Sequence, residues 1–253
     1  MKLCRNFIDN SKNYFRAQKG VTVADYFSDW TLWEKLWISV STVVILVASI
    51  FTWDTTNALA SWVALVSSIT GIWCVILVAK GRISNYVFGL INVIAYAYSA
   101  YLWRLYGDAM LNAFYFLPMQ FYGWYLWVSP KNVEAKDTVV MKRLSIRGAV
   151  TWGIVSIIGV IGYGVILKAM GGLTPYFDSM STVLSVIAMI LMAYLYAEQW
   201  ILWIIVDLVT VYMWANIVIN EGGLFAIGIL LMWIAFLVNA TYGYVNWLKG
   251  SSK

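Results

Sequence analysis

Gln199–Asp207 reads Q-W-I-L-W-I-I-V-D and opens an apolar stretch that runs on to Ile219. On an α-helix, Trp200, Trp203 and Asp207 follow the i, i+3, i+7 spacing of one face. At a rise of about 1.5 Å per residue, Asp207 lies on the order of 12 Å in from Gln199, close to the bilayer midplane. A carboxylate at that depth costs roughly 2.5–3.5 kcal/mol on insertion scales, so it must face something other than lipid. Either Asp207 is a structural acid hydrogen-bonded to a neighbouring helix, or it is the base of a binding site with aromatic walls.

The rest of the chain is built to the same specification. Its 253 residues are 62% hydrophobic and 11% charged, with a mean hydropathy of +0.76. That is the composition of an all-α polytopic membrane protein. The net charge of +5 reflects topology and gives no reason to expect nucleic acid. With no histidine, a catalytic His, a His metal site and a His proton relay are all excluded. Cys4 lies in a polar N-terminal stretch and Cys74 in an apolar one, so no structural disulfide is expected. No cofactor is implied.

Residues 1–30 carry Lys2, Arg5, Lys12, Arg16 and Lys19 among Phe7, Tyr14 and Phe15. No apolar core with a small-residue cleavage site follows closely, which argues against a secretory signal and for a cytoplasmic tail lying partly on the membrane surface. Eight apolar segments follow: A, Leu36–Phe51; B, Ala58–Ala79; C, Ile83–Trp103; D, Ala109–Val128; E, Gly148–Leu167; F, Ser179–Ala197; G, Gln199–Ile219; and H, Gly222–Leu248. Most approach the ~20 residues that a spanning helix needs. Segment A is short, but Trp33, Trp37 and Trp53 extend it as interfacial anchors. Only Glu198 separates F from G, which predicts a tight antiparallel hairpin.

Charge tests this count. With a cytoplasmic N-terminus, only Arg104 and Lys168 of the 17 basic residues fall outside. This is a strong positive-inside pattern, and one helix more or fewer would scramble it. Both termini are therefore expected in the cytoplasm.

An internal repeat is also visible. Phe88-x-x-x-Asn92 aligns with Trp203-x-x-x-Asp207 at an offset of 115, and Tyr122-Gly123-Trp124-x-x-Trp127 with Tyr242-Gly243-Tyr244-x-x-Trp247 at 120. Gly107 and Gly223 open the third segment of each set. B-C-D and F-G-H thus read as two three-helix units joined by E, an odd helix that restores the orientation and makes the repeats parallel, as in the SWEET transporters. The expected division is a tail at 1–30, an additional N-terminal transmembrane helix at 31–55 and a first bundle at 56–129. A basic loop and linker helix at 130–172, a second bundle at 173–248 and a cytoplasmic tail at 249–253 complete it.

Between the repeats, Asp207 and Asn92 would face each other. Asn85, Phe88 and Asn92 share one face of C. D offers Asn112, Tyr115 and Gln120, of which the last two point roughly 140° apart unless Pro118 distorts the helix. H offers Asn239. Buried amides often serve only as ties between helices, each contributing about 0.6 kcal/mol. Most of the 15 tryptophans lie near segment ends, where interfacial belts hold them; Trp200 fits either role, and Trp203, one turn deeper, is the better ligand contact. Aromatic faces, amides and one carboxylate suit a small, flat, hydroxylated or cationic solute. One buried acid without His makes no catalytic constellation, so an intramembrane enzyme is disfavoured; a structural or sensory membrane protein is the other alternative.

The motifs N-Y-V-F-G-L-I-N (Asn85–Asn92), the Tyr115–Trp124 run with Gln120 and Gly123, and W-I-L-W-I-I-V-D (Trp200–Asp207) resemble the PnuC family of bacterial vitamin transporters over roughly residues 55–248. The resemblance implies a SWEET-like fold, a homotrimer in the bacterial inner membrane, and facilitated uptake of nicotinamide riboside trapped by a separate cytoplasmic kinase. Relatives of that family carry thiamine, riboflavin or deoxynucleosides. Helix A is additional to the family's seven-helix core.

The charge pattern places the Lys131–Arg147 loop in the cytoplasm. A single cysteine introduced there should react with an impermeant maleimide only in inside-out vesicles; reaction in intact cells would refute the topology.

Overall fold

The structure, a computed structural model, describes residues 2–135, 137–171, 175–221 and 226–251. It is almost wholly helical. An N-terminal arm holds α1 (Lys2–Ala17) and the single turn α2 (Val23–Tyr26), followed by α3 (Leu32–Phe51), α4 (Ala58–Ala79) and α5 (Asn85–Leu102). Next come α6 (Tyr106–Met110), a π-helical stretch (Leu111–Phe116) and α7 (Leu117–Trp127). Strands β1 (Val133–Ala135) and β2 (Thr138–Val139) precede α8 (Ile146–Ala169), α9 (Pro175–Ala193), α10 (Gln199–Glu221) and α11 (Ala226–Gly250).

Local chemistry sets several of these boundaries. Thr31 caps α3 through a reciprocal box: Glu34 N donates to the threonine hydroxyl at 3.2 Å, and Thr31 N donates to Glu34 Oε2 at 2.6 Å. Asn57 and Ser145 cap α4 and α8 in the simpler way. Segment B matches α4 residue for residue. Segment F does not end at Ala197: α9 stops at Ala193, and Leu195 takes a positive φ of 71° in a turn that reaches Glu198. Segment D is no single α-helix, because the π stretch splits it before Pro118, which sits in the first turn of α7 where its missing N–H costs little. Gly222 and Gly223, expected to open H, lie outside the described residues, as do Lys136 and Lys253.

Six helices among the described residues are long and apolar enough to cross a membrane: α3, α4, α8, α9, α10 and α11. Segments C and D are not among them. α5, at 18 residues, is long enough but carries two asparagines and four tyrosines, and D is divided into shorter pieces. Both still pack within the helical body: α5 lies along α4, and α7 against α5 and α9. α4 and α10 each lie along α11, and α8 leans on α9 with most of its surface exposed.

Similar contacts join α7 to α9 and α11 to α4. Trp127 Nε1 donates to Met192 O at 3.1 Å, and Trp247 Nε1 donates to Val78 O at 2.9 Å. Tyr86 packs over Gly123 as Trp200 packs over Gly243. Asn85 and Gln199, the first residues of α5 and α10, are both fully buried. From α4 to α9 and from α5 to α10 these pairs run at an offset of 114, one residue from the 115 that aligns Asn92 with Asp207, and from α7 to α11 they keep the offset of 120.

The loop after α7 is stitched to both equivalent turns. Val139 N donates to Gly81 O at 2.9 Å and Ile83 N to Asp137 O at 2.8 Å; on the other side, Lys142 N donates to Leu195 O at 2.8 Å and Ala197 N to Lys142 O at 2.9 Å. Asp137 is buried beneath the arm, accepting from Ser84 Oγ and from the Tyr14 hydroxyl, each at 2.5 Å. Burial pushes its carboxyl above the usual range, while those hydrogen bonds and the Arg82 guanidinium pull it back. The arm thus packs on protein: Phe7 and Phe15 lie edge-on to Trp124. Glu34, in the first turn of α3, takes Lys80 Nζ at 2.8 Å and the Tyr242 hydroxyl at 2.6 Å.

A Cβ on Gly243 would come within 2.6–2.8 Å of the Trp200 ring, whereas one on Gly107 would meet nothing within 4 Å. Gly243→Val should therefore cost about 1–3 kcal/mol, seen as a lower melting temperature in detergent, with Gly107→Ala close to the parent.

Candidate functional site

Where α4, α5 and the π stretch face α9, α10 and α11, a cavity of about 120 Å³ remains. That is well above the 10–15 Å³ that one water needs. Its walls are aromatic and thioether-rich, with Phe116, Trp200, Trp203, Trp233, Phe236, Met189, Met192 and Met232.

Asp207 is 2% exposed and lines this cavity. Among the described residues, its carboxylate has no hydrogen-bond or ion-pair partner, although carboxylates this deep are ordinarily paired. Trp203 and Trp200 stand one and two turns before it, as the i, i+3, i+7 spacing requires. The Trp200 indole N–H is buried without a partner, and so is that of Trp233 across the cavity. Gln120 reaches the same space because Gly89 has no side chain: a Cβ there would sit 2.6 Å from Gln120 Oε1, an acceptor that is itself unpartnered. Asn92 donates from Nδ2 to Ser67 O at 2.8 Å and Asn112 from Nδ2 to Asp108 O at 2.9 Å, which fixes both amides at the wall. No Lys or Arg lines the cavity.

Six of the ten residues singled out from the sequence meet here: Asn92, Asn112, Gln120, Trp200, Trp203 and Asp207. Four do not. Asn85 is fully buried and donates from Nδ2 to Arg82 O at 2.6 Å, tying the start of α5 to its own turn. Phe88 stacks on Trp73 at 5.5 Å between ring centres. The Tyr115 hydroxyl donates to Val186 O at 2.8 Å, so it is tied to α9 and does not line the cavity with Gln120. Asn239 donates from Nδ2 to Val75 O at 2.9 Å as a tie between α11 and α4. Cys74, Tyr96, Trp233 and Phe236 line the cavity without having been expected. Tyr96 was within reach of the sequence, since it lies four residues beyond Asn92 on the same face.

A many-helix membrane protein with a buried cavity between its halves, one carboxylate and a set of unused polar groups has the architecture of a small-solute transporter. Comparison with known proteins agrees. The family described as nicotinamide mononucleotide transporter matches residues 61–249. The nicotinamide riboside transporter PnuC of Neisseria mucosa is 36% identical over 228 residues, covering 89% of this chain and 84% of its own. The protein of that name from Haemophilus influenzae is 34% identical over 226 residues, covering 89% and 93%. A crystal structure described as the vitamin B3 transporter PnuC superposes with a TM-score of 0.79 at 35% identity, covering 95% of this chain and 97% of that one. The chain belongs to the PnuC family of membrane transporters and is not an enzyme.

An unpartnered buried carboxylate destabilises the empty protein. Asp207→Asn keeps the shape and removes the charge, so the ligand-free melting temperature should hold or rise, by an amount corresponding to about 1–3 kcal/mol; a clear fall would mean that Asp207 has a structural partner.

Proposed function

We propose that this protein carries nicotinamide riboside across the bacterial inner membrane by facilitated diffusion. The observation that carries the reading is Asp207, buried and unpartnered in an aromatic cavity that no Lys or Arg lines. A pyridinium ring brings the positive charge that such a carboxylate lacks, and indole faces attract it by a further 0.5–2 kcal/mol or so each. A carboxamide and ribose hydroxyls suit the free Gln120 Oε1 and the indole N–H groups of Trp200 and Trp233. The same inventory argues against the mononucleotide of the family's description. A phosphate carries about −1.5 to −2 charges at neutral pH and would lie in a dry site beside Asp207 with no cation to receive it.

The finer features stand with this proposal. Eight spans with both termini in the cytoplasm are supported by the distribution of basic residues. Two parallel repeats around α8 as linker are supported by the paired Trp127 and Trp247 bonds and by the turns that bind one loop. The domain division at 56–129 and 173–248 follows from them. A homotrimer and trapping by a cytoplasmic riboside kinase come with the family resemblance, and an uncoupled carrier needs such trapping to accumulate its solute.

Trp203→Ala should weaken riboside binding by about 1–2 kcal/mol, and Gln120→Ala or Asn92→Ala by about 1–3 kcal/mol. Calorimetry on purified protein, with the mononucleotide and thiamine as competitors, checks both site and substrate. Thiamine binding more tightly than the riboside would reassign the carrier. In proteoliposomes, uptake should stop at equilibrium and proceed to accumulation only with kinase and ATP inside. Accumulation driven by an imposed pH gradient alone, and lost in Asp207→Asn, would make Asp207 a proton carrier instead.

A further inference from the structure

Tyr96 lies one turn beyond Asn92 on α5 and lines the same cavity. Its hydroxyl donates to Asp108 Oδ2 at 3.0 Å and accepts from Trp214 Nε1 at 2.9 Å. The ring is 3% exposed and packs edge-on against Trp214 at 6.0 Å and Trp233 at 5.7 Å. Trp214 follows Asp207 by seven residues, on the same face of α10 and about 10 Å further from Gln199. This group therefore closes the end of the cavity opposite Trp200, and it does so across the molecule. Tyr96 and Asp108 belong to α5 and α6, whereas Trp214 and Trp233 belong to α10 and α11.

We propose that Tyr96 is the latch of the cavity's outer end, holding α5 and α10 together through the Asp108–Tyr96–Trp214 chain until the carrier opens outward. The inference deepens the transport reading and rests on it. Three observations make the joint a moving one. The hydroxyl spends its donor on one half of the molecule and one acceptor site on the other, so separation of the halves breaks a bond. The π stretch begins three residues after Asp108, a helix form that is rare and collects at functional sites. Asn112, on that stretch and at the cavity wall, donates to Asp108 O at 2.9 Å, so a solute touching Asn112 bears directly on the residue that holds the latch. Tyr96 is accordingly a positioning residue, acting on access to the cavity.

Cys74 lines the cavity, and Cys4 is the only other cysteine in the chain, so a Cys4→Ser background makes Cys74 a single reporter. A quaternary-ammonium methanethiosulfonate is added outside to intact cells, and separately to inside-out vesicles. Losing a hydrogen bond to a carboxylate shifts a two-state equilibrium by roughly tenfold or more. Tyr96→Phe should therefore raise the external labelling rate of Cys74 about tenfold, with labelling from the cytoplasmic face unchanged or lower. Asp108→Ala, which leaves the Tyr96 ring in place, should do the same, whereas Asp108→Asn keeps an acceptor and should stay within about threefold of the parent. Unchanged external labelling in both Tyr96→Phe and Asp108→Ala would overturn the latch. So would an equal rise from both sides, the mark of general loosening, or a rise confined to inside-out vesicles. Protection of Cys74 by nicotinamide riboside is read in parallel. Its absence in the parent would count against the substrate assignment alone, since the labelling rates require no substrate.

Discussion

One carboxylate organises this protein. Asp207 sits 2% exposed in a spanning helix, where hydrocarbon cannot solvate it and where no described side chain pairs with it. The fold accommodates that cost by arranging two sets of helices around it and leaving a hollow in place of a partner. Aromatic and thioether side chains keep the hollow apolar; of the polar groups at its walls, Asn92 and Asn112 are tied to backbone, Tyr96 to Asp108 and Trp214, and Gln120 Oε1 is left without a partner. An environment that withholds compensation from a charge is ready to accept it from a ligand.

The hydrophobic pattern alone sets much of the fold. Segment B coincides with α4 and segment G with all but the end of α10, because an unbroken apolar run in a membrane has few alternatives to helix. Helix ends are less legible. Leu195 and Ala197 are as apolar as the helix before them, yet the chain turns there, where the backbone of Lys142 in the loop after α7 donates to Leu195 O and accepts from Ala197 N. The π stretch in segment D is likewise invisible to a count of apolar residues, since L-N-A-F-Y-F suits either helix.

The candidate site divides along similar lines. Helical spacing reports which residues share a face, and so Trp200, Trp203 and Asp207 arrive together. It does not report what covers that face at each level. Asn85 and Asn92 are two turns apart on α5, but one meets its own turn and the other the cavity. Asn239 and Tyr115 are claimed by backbone carbonyls of neighbouring helices, as most buried amides and phenols in membrane proteins are. Spacing puts Tyr96 on the face of Asn92, but a tyrosine in a tyrosine-rich segment gives no sign that its hydroxyl bonds both Asp108 of α6 and Trp214 of α10.

Trp200 has two neighbours on one ring. One face of its surroundings is the cavity; another is the bare backbone of α11 at Gly243, so close that a single added carbon would collide with it. Its edge also rests on Trp247, whose own indole N–H is anchored to α4. No compressible layer separates the cavity wall from the contact of α11 with α4. The side chain stands as a strut between the cavity and the contact of α10, α11 and α4. One side chain thus lines the cavity and packs where α10, α11 and α4 meet.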